Sequence, residues 1–279
     1  MTSRIISGAI ALLIAVAASA QEAAETEAVS EGQRIYNSLN FEQGPGLFDV
    51  TSRAAIQLPE GYDRLNPSDT AKLMELYGNI TTTEEWYVAP TDQSWFAVFS
   101  YEDSGYIKDD EEIDSGDLLR SVREGTEAAN AERRRLGWAE LNIVGREFEP
   151  RYSDTTNRLS WAILAESEGS EIINYNTRLL GRTGVMSAVL VADAENLDAT
   201  VSEFENLLTG FSYKPGNLYS EYREGDKLAK YGLAALVTGG AAVAVAKSKG
   251  FIKLIIGGIV AFFAFFGNMF KRLFSRNRE

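Results

Sequence analysis

The sequence contains no cysteine and no histidine, and these two absences exclude several kinds of chemistry. Without cysteine there is no disulfide, no thiolate nucleophile and no cysteine-ligated zinc or iron–sulfur site. Without histidine the chain lacks the most common general base, and a Ser-His-Asp triad is impossible. Catalysis would have to rely on carboxylates, lysine, tyrosine or an oxygen-ligated metal ion.

Positive charge is also scarce, because the 279 residues carry 27 Lys and Arg against 40 Asp and Glu. Nucleic-acid binding depends on basic side chains near phosphates, so we expect no nucleic-acid partner for a chain of net charge −13. The charge is unevenly distributed: residues 21–230 have a net charge of −20 and residues 231–279 one of +6. This pattern indicates an acidic, water-facing body joined to a basic tail.

The first 20 residues are typical of a signal peptide. Arg4 is followed by an apolar stretch over residues 5–17 and by the small-residue sequence Ala18-Ser19-Ala20, which is typical of a cleavage site. An uncleaved N-terminal membrane anchor is the alternative interpretation. Residues 21–40 are rich in Glu and Ala and predict an acidic, flexible lead-in.

Residues 251–270 predict a transmembrane helix. They contain a single charge, Lys253 near one end, and 20 helical residues rise about 30 Å, which is the thickness of one hydrocarbon core. Four basic residues follow in the segment 271–279, so after export of the N-terminus this tail is expected in the cytoplasm.

Residues 231–250 form a second apolar segment that is rich in Gly and Ala. It predicts a helix that lies at the membrane surface or against another copy of the chain, or else a second short span. We favour a single span, because a hairpin would place the basic tail outside. Gly257 and Ala261 form a small-residue pair that can support self-association.

Residues 41–230 predict one exported α+β domain. Helical spacing of apolar residues indicates helices over residues 68–78, with Ser68 as the N-cap, over residues 115–137, and over residues 197–208. Alternating patterns separated by short turns predict a mostly antiparallel sheet with two or three packed helices, in addition to the C-terminal transmembrane helix. The predicted strands lie within residues 47–58, 85–88, 94–101, 141–148, 158–166, 171–180 and 184–192.

Several short motifs occur in a characteristic order along the chain. They are Leu58-Pro59-Glu60-Gly61-Tyr62, SYEDSGYIKDDEEIDS at 100–115, Gly137-Trp138, NYNTRLLGR at 174–182, and YGLAAL at 231–236 before Gly239-Gly240. Over residues 40–270 the ordered set resembles the bacterial "uncharacterised membrane-anchored protein" family, a domain of unknown function. The resemblance implies the bacterial inner membrane, with the large domain in the periplasm or at the cell exterior, and it implies no catalytic residues. The order of elements is also similar to that of PsbP-like α+β folds.

Six carboxylates crowd the stretch from Asp109 to Asp117. Because Ca²⁺ and Mg²⁺ prefer oxygen ligands, the cluster is a candidate metal site, although its spacing does not fit an EF-hand. The alternative is a solvent-exposed acidic turn whose last residues cap the following helix. Apart from such a metal ion, we expect no cofactor. The candidate ligands are Asp109, Asp110, Glu112 and Asp114.

A second group of polar residues lies on and after one predicted strand. Arg and Asn side chains can hydrogen-bond an anionic glycan or a lipid headgroup, and cross-strand pairing is the alternative use for them. The candidate ligand-binding residues are Asn174, Tyr175, Asn176, Arg178 and Arg182. A third group of aromatic residues could line a saccharide or peptide groove, but we expect most of its members in the core. That group is Trp86, Tyr87, Trp95, Phe96, Trp138 and Trp161.

No motif along the chain points to a particular reaction, so we expect no catalytic residues. The sequence favours a non-enzymatic, membrane-anchored protein of the cell envelope whose acidic domain interacts with envelope protein partners or with itself. The alternative is a carboxylate-dependent hydrolase or a binding module for envelope glycan or peptide.

Overall fold

The computed structural model describes residues 31–79, 84–111, 113 and 115–238. The predicted signal peptide, the predicted span at 251–270 and the basic tail lie outside the described residues. The chain divides into two compact units, residues 1–39 and residues 40–279. In the first unit the described residues 31–37 are helical (α1) and are followed by a turn in which the Ser38 hydroxyl donates to the Ile35 carbonyl.

Eleven strands occur in the described part of the second unit, and they form two antiparallel sheets. Their bounds are β1 Glu42–Gln43, β2 Gly46–Asp49, β3 Ala54–Leu58, β4 Tyr62–Leu65, β5 Glu85–Pro90, β6 Phe96–Glu102, β7 Asn142–Ser153, β8 Arg158–Ser167, β9 Ser170–Leu180, β10 Val185–Asp193 and β11 Phe211–Tyr213. The large sheet has the order β1-β4-β5-β6-β10-β9-β8-β7, and the small one has the order β11-β3-β2.

One face of the large sheet is covered by a helix and by the small sheet. The helix, α4 (Leu197–Leu208), buries Phe204, Leu207 and Leu208 against residues of β10 such as Ala188 and Leu190. The small sheet contributes further apolar residues from β3 to the same core. Burial of this apolar surface is the main source of stability in a domain that has no disulfide.

The opposite face is covered by three helices, α2 (Pro67–Leu76), α3 (Ser115–Leu136) and α5 (Leu233–Thr238). At the β5–β6 end, Tyr77 just after α2 packs against Phe96 with ring centroids 5.5 Å apart. At the β8–β9 end, residues of α3 and α5 form a second core with every other residue of β8. The members of that core on these elements are Leu118, Leu233, Leu236, Val237, Leu159, Trp161 and Ile163.

The structure confirms an α+β fold with a large antiparallel sheet and several helices. The predicted N-cap of α2 was wrong: the helix begins at Pro67, and the Asn66 side chain accepts a hydrogen bond from the Asp69 N–H. Proline suits the first helical position because it has no N–H to satisfy, and this moves the cap two residues upstream of Ser68. Within the described residues, no helix has the length and hydrophobicity needed to cross a membrane.

Candidate anion-binding site

Strand β9 carries a row of polar side chains on the face that α3 and α5 cover. Because side chains alternate along a strand, Asn174, Asn176 and Arg178 share the face of Leu180, whereas Tyr175 points to the opposite face. The neighbouring residue on β10 opposite Arg178 is Ser187. A polar row at this depth is unusual, since buried polar groups are tolerated only with partners.

Arg178 is the cation at the end of this row. Its guanidinium lies over the Trp161 ring, 4.9 Å from the ring centroid. Nη1 donates to Ser187 Oγ over 2.7 Å and to its neighbour's carbonyl, Thr177 O, over 3.4 Å. Among the described residues Arg178 makes no ion pair, and none of them accepts a hydrogen bond from Nε or Nη2.

The electrostatics of Arg178 follow from this partly apolar surrounding. Burial lowers the pKa of the guanidinium to about 10, and the nearby Glu102 carboxylate acts in the opposite direction. Arg178 therefore stays charged at neutral pH. A charged, partly desolvated guanidinium with free donors is the usual binding group for carboxylate and phosphate.

Glu102 and Tyr231 complete the surroundings of Arg178. Glu102 ends β6, and its Oε1 accepts a hydrogen bond from the Tyr231 hydroxyl. Burial and this carboxylate both raise the pKa of Tyr231, so its hydroxyl remains a donor. Neither residue was predicted as part of a site, because they lie 76 and 53 positions from Arg178 in the sequence.

Asn176 provides a buried acceptor on the same face as Arg178. Its Nδ2 donates to the Asn174 carbonyl, while its Oδ1 has no hydrogen-bond partner in the described part of the chain. The residue is 1% exposed, so water does not satisfy this oxygen freely. An unsatisfied buried acceptor costs about 1–3 kcal/mol, and a ligand N–H or O–H would relieve this cost.

The structure separates the other two predicted ligand-binding residues from this face. The Tyr175 hydroxyl donates to Glu205 of α4 on the opposite face of the sheet. Arg182, in the loop after β9, makes a bidentate ion pair with Asp226, with distances of 2.7 and 2.8 Å. Two charge-assisted hydrogen bonds hold the guanidinium of Arg182, so of the two predicted ligand-binding arginines Arg178 is the one with free donors.

The predicted metal ligands are only partly described, since Glu112 and Asp114 lie outside the described residues. The Asp109 carboxylate accepts a hydrogen bond from the Tyr152 hydroxyl over 2.7 Å, and Asp110 is exposed. No group of three or more acidic side chains in the described ranges could hold a metal ion. The metal site stays a prediction.

Most residues of the predicted aromatic groove lie in the core instead of lining a groove. Tyr87, Trp95, Phe96 and Trp161 are buried, while Trp86 and Trp138 are half-buried. Trp95 packs against Phe204 of α4, and its Nε1 donates to Glu203 over 3.1 Å. Of this group, Trp161 is the residue that contacts Arg178.

Comparison with known protein families identifies the chain at the level of its family. The family model described as "Protein of unknown function (DUF2167)" matches residues 42–269. The chain belongs to this family. The match confirms a domain of unknown function, whereas membrane anchoring stays a prediction. No curated protein matches this DUF2167 chain.

Some solved structures share a weak likeness with this DUF2167 chain. The solution structure of the cyanobacterial PsbP protein CyanoP from Synechocystis sp. PCC 6803 has 11% identity and a TM-score of 0.39, covering 63% of this chain and 93% of that one. The protein of unknown function PA94 from Pseudomonas aeruginosa, a putative regulator, has 10% identity and a TM-score of 0.27, covering 61% and 97%. The Saccharomyces cerevisiae Ran-binding protein Mog1p has 7% identity and a TM-score of 0.29, covering 63% and 96%.

Three motifs that the sequence analysis singled out in this DUF2167 chain meet at the site. Arg178 comes from NYNTRLLGR, Glu102 from the acidic motif that starts at Ser100, and Tyr231 from YGLAAL. The contact between Glu102 and Tyr231 joins residues that are 129 positions apart. The arrangement offers the free donors of Arg178 to an anion, and Asn176 adds an unsatisfied acceptor on the same face of β9.

Proposed function

We propose that this protein is a non-enzymatic, membrane-anchored binding protein of the cell envelope. Its acidic domain faces the periplasm or the cell exterior, and its Arg178 site binds the phosphate or carboxylate group of a ligand. The observation that carries the proposal is a partly desolvated guanidinium that makes no ion pair among the described residues. An anion would use the free Nε and Nη2 donors in a bidentate arrangement.

The chemistry of the site favours binding over catalysis. Because Arg178 stays charged at neutral pH, it can hold and orient an anion but does not exchange protons with it. The hydrolase that the sequence leaves as an alternative needs two carboxylates at a fixed separation around the scissile bond. Around Arg178 the structure describes one carboxylate, Glu102, which is held by a neutral tyrosine.

Membrane anchoring is supported by the amino-acid pattern rather than by the fold. An apolar leader, a 20-residue apolar run at 251–270 and a basic end at 271–279 together favour one span with the acidic domain exported. This arrangement places the basic tail next to the negatively charged cytoplasmic leaflet, which attracts it, and keeps the acidic body on the other side of the membrane.

The binding proposal is tested with the full-length chain in a neutral detergent. Inorganic phosphate and acetate are titrated separately while tryptophan fluorescence is recorded, with sodium chloride as the ionic-strength control. Trp161 lies under the guanidinium, so anion binding should change its emission, and Trp161→Phe should abolish the change. A stronger response to phosphate or to acetate identifies the preferred anion.

Two arginine variants make the test specific. Arg178→Gln should weaken anion binding by roughly 10-fold or more, which is the usual contribution of charge-assisted hydrogen bonds. Arg158→Gln is the matched control, since Arg158 binds Glu205 and the Leu208 carbonyl beside α4. Equal affinities of wild type and Arg178→Gln, in a protein with unchanged circular dichroism, would refute the proposed site.

The anchoring proposal is tested by reporter fusions after residues 230, 250 and 279. A single span predicts that an export-dependent reporter is active after residues 230 and 250 and inactive after residue 279. Activity after residues 230 and 279 with none after residue 250 would indicate two spans. Activity after no position would contradict export of the domain.

A further inference from the structure

The segment that connects the body to the predicted span is docked on the body. This C-terminal strap, residues 226–238, contains α5 and leads in sequence into the apolar run that follows. Its backbone pairs with Tyr106 through two hydrogen bonds of 2.8 Å, from Tyr106 N–H to the Lys227 carbonyl and from Ala229 N–H to the Tyr106 carbonyl. At its start, Asp226 is held by Arg182.

Close backbone approach and helix capping fix the strap further along. A side-chain β-carbon at Gly105 would lie 2.6 Å from the Lys227 carbonyl oxygen, so this position requires glycine. The Glu111 carboxylate accepts a hydrogen bond from the Ala234 N–H, in the first turn of α5. This interaction places a negative charge where the helix dipole favours it.

The strap also forms part of the Arg178 site. Leu233, Leu236 and Val237 belong to the same apolar cluster as Trp161, on which Arg178 lies. Tyr231 packs against this cluster, and its hydroxyl donates a hydrogen bond to the Glu102 carboxylate. The strap therefore contacts a carboxylate on the same face of the sheet as Arg178, and it packs in the cluster of the ring beneath the guanidinium.

We propose that anion binding at Arg178 and docking of the strap oppose each other, so that an anion at the site loosens the strap. This inference rests on the proposed function, because it needs an anion at Arg178. Glu102 on β6 projects from the same face of the sheet as Arg178 on β9, with β10 between the two strands, so an incoming anion repels its carboxylate. When Glu102 turns away, its hydrogen bond with Tyr231 breaks and the strap loses this attachment.

Release has a direct consequence for the distance between body and membrane. The strap has 13 residues, which span about 40 Å when extended. By populating the open strap, ligand binding would increase the fraction of molecules in which the body can move farther from the predicted span. The coupling is reciprocal. If a bound anion weakens docking of the strap by a certain factor, undocking of the strap raises the affinity for the anion by the same factor.

The test compares two variants of the full-length chain in a neutral detergent. Tyr231→Phe removes the hydrogen bond to Glu102 and should raise the affinity for inorganic phosphate by roughly fivefold. It should also speed hydrogen exchange at Ala229 and Ala234 without phosphate. Tyr222→Phe is the control, since Tyr222 stacks on Tyr106 at 4.2 Å without contacting Glu102 in the described structure, and it should change neither quantity.

Glu102→Gln separates charge from hydrogen bonding. Glutamine still accepts the hydrogen bond from the Tyr231 hydroxyl, so the backbone amides of the strap should exchange hydrogen at the wild-type rate without phosphate. Removal of the negative charge should raise phosphate affinity by roughly fivefold or more and should abolish the phosphate-induced increase in strap exchange. This variant keeps the inference testable if Tyr231→Phe fails to fold.

The outcomes distinguish this inference from the proposed function. If wild type binds phosphate through Arg178 but strap exchange is unchanged and both variants keep the wild-type affinity, the opposition between anion and strap is refuted and the binding site stands. If phosphate tightens the strap, the sign of the coupling is wrong and the inference fails.

If no phosphate, acetate or phosphatidylglycerol nanodisc perturbs Trp161, both proposals fail. A response to the nanodisc alone, absent with phosphatidylcholine, assigns the anion to a lipid headgroup.

Discussion

At the scale of single residues, the polar groups of the covered face differ in how completely they are satisfied. Asn130 of α3 is fully engaged, since its Nδ2 donates to the Leu141 carbonyl over 2.7 Å and its Oδ1 accepts from the Leu141 N–H over 2.9 Å. Asn176 keeps one buried acceptor without a partner. The first residue fixes the position of a helix, whereas the second leaves a buried polar atom unsatisfied.

Replacing Asn130 should therefore destabilise the fold. Asn130→Ala leaves the buried N–H and carbonyl of Leu141 without partners, and we expect the free energy of unfolding to fall by about 2–4 kcal/mol. Urea unfolding followed by circular dichroism measures the change. Asn142→Ala is the matched control, because the exposed Asn142 donates a single hydrogen bond to Glu166 and its loss should stay within about 0.5 kcal/mol.

The ion pair between Arg182 and Asp226 makes the strap sensitive to acid. Two hydrogen bonds from the guanidinium lower the pKa of Asp226 to about 2, below its ordinary value. A lowered native pKa stabilises the fold above the ordinary pKa of about 4, and the contribution is lost as the pH falls from about 4 to about 2. Hydrogen exchange of the strap should therefore rise relative to the body over this interval.

The variant Asp226→Asn isolates the contribution of this carboxyl group. It should expose the strap at neutral pH and should remove the part of the acid dependence that comes from Asp226. An unchanged rise in strap exchange between pH 4 and pH 2 in this variant would show that other carboxyl groups are responsible.

At the scale of elements, the N-cap of α2 can be tested directly, because the structure assigns it to Asn66 and the sequence pattern assigned it to Ser68. Asn66→Ala removes the side chain that accepts the Asp69 N–H and should destabilise the chain by about 1 kcal/mol. Ser68→Ala, at the position that the sequence pattern favoured, should change the free energy of unfolding by less than about 0.5 kcal/mol because Ser68 is exposed. A larger loss for Ser68→Ala than for Asn66→Ala, by thermal unfolding, would contradict the cap assignment.

The same element shows why some features can be predicted from sequence and others cannot. Periodicity is local, so it correctly predicted α4 at residues 197–208 and the antiparallel strands around Trp161. The Asn66-Pro67 pair is a local signal for the true N-cap, because asparagine is a favoured cap and proline suits the first helical position. The link between Glu102 and Tyr231 carries no local signal, because it depends on how β6 and the strap are placed by the whole fold.

The candidate site was predictable to a similar degree. Alternation along one strand places Asn174, Asn176 and Arg178 together, and the structure agrees with that spacing. The pattern cannot show that Arg182 is occupied by Asp226 or that Arg178 is not paired, because both facts depend on distant segments. The polar motif on and after this strand indicates the residue types of the site, whereas the tertiary structure decides which of them is available.

At the scale of the whole molecule, the strap belongs to the folded body. Leu233 is 1% exposed and packs in the cluster of Trp161, so the end of the described chain contributes to the core. The amino-acid pattern of residues 231–250 predicts a helix at the membrane surface or against another copy of the chain, or else a second short span. A first turn buried in protein is unavailable to lipid in this docked state.

Leu233→Ala should therefore destabilise the body itself. Truncation of a buried leucine costs about 2–5 kcal/mol, because it loses apolar burial and leaves a cavity. Leu228→Ala is the matched control in the same strap, since Leu228 is 45% exposed and its backbone bridge to Tyr106 survives the change. Urea unfolding of the full-length variants should show a clear loss for Leu233→Ala and a shift within about 0.5 kcal/mol for Leu228→Ala. Equal, small losses for the two variants would mean that the strap is an attachment to the domain rather than a part of its core, and strap release would then leave the body's stability unchanged.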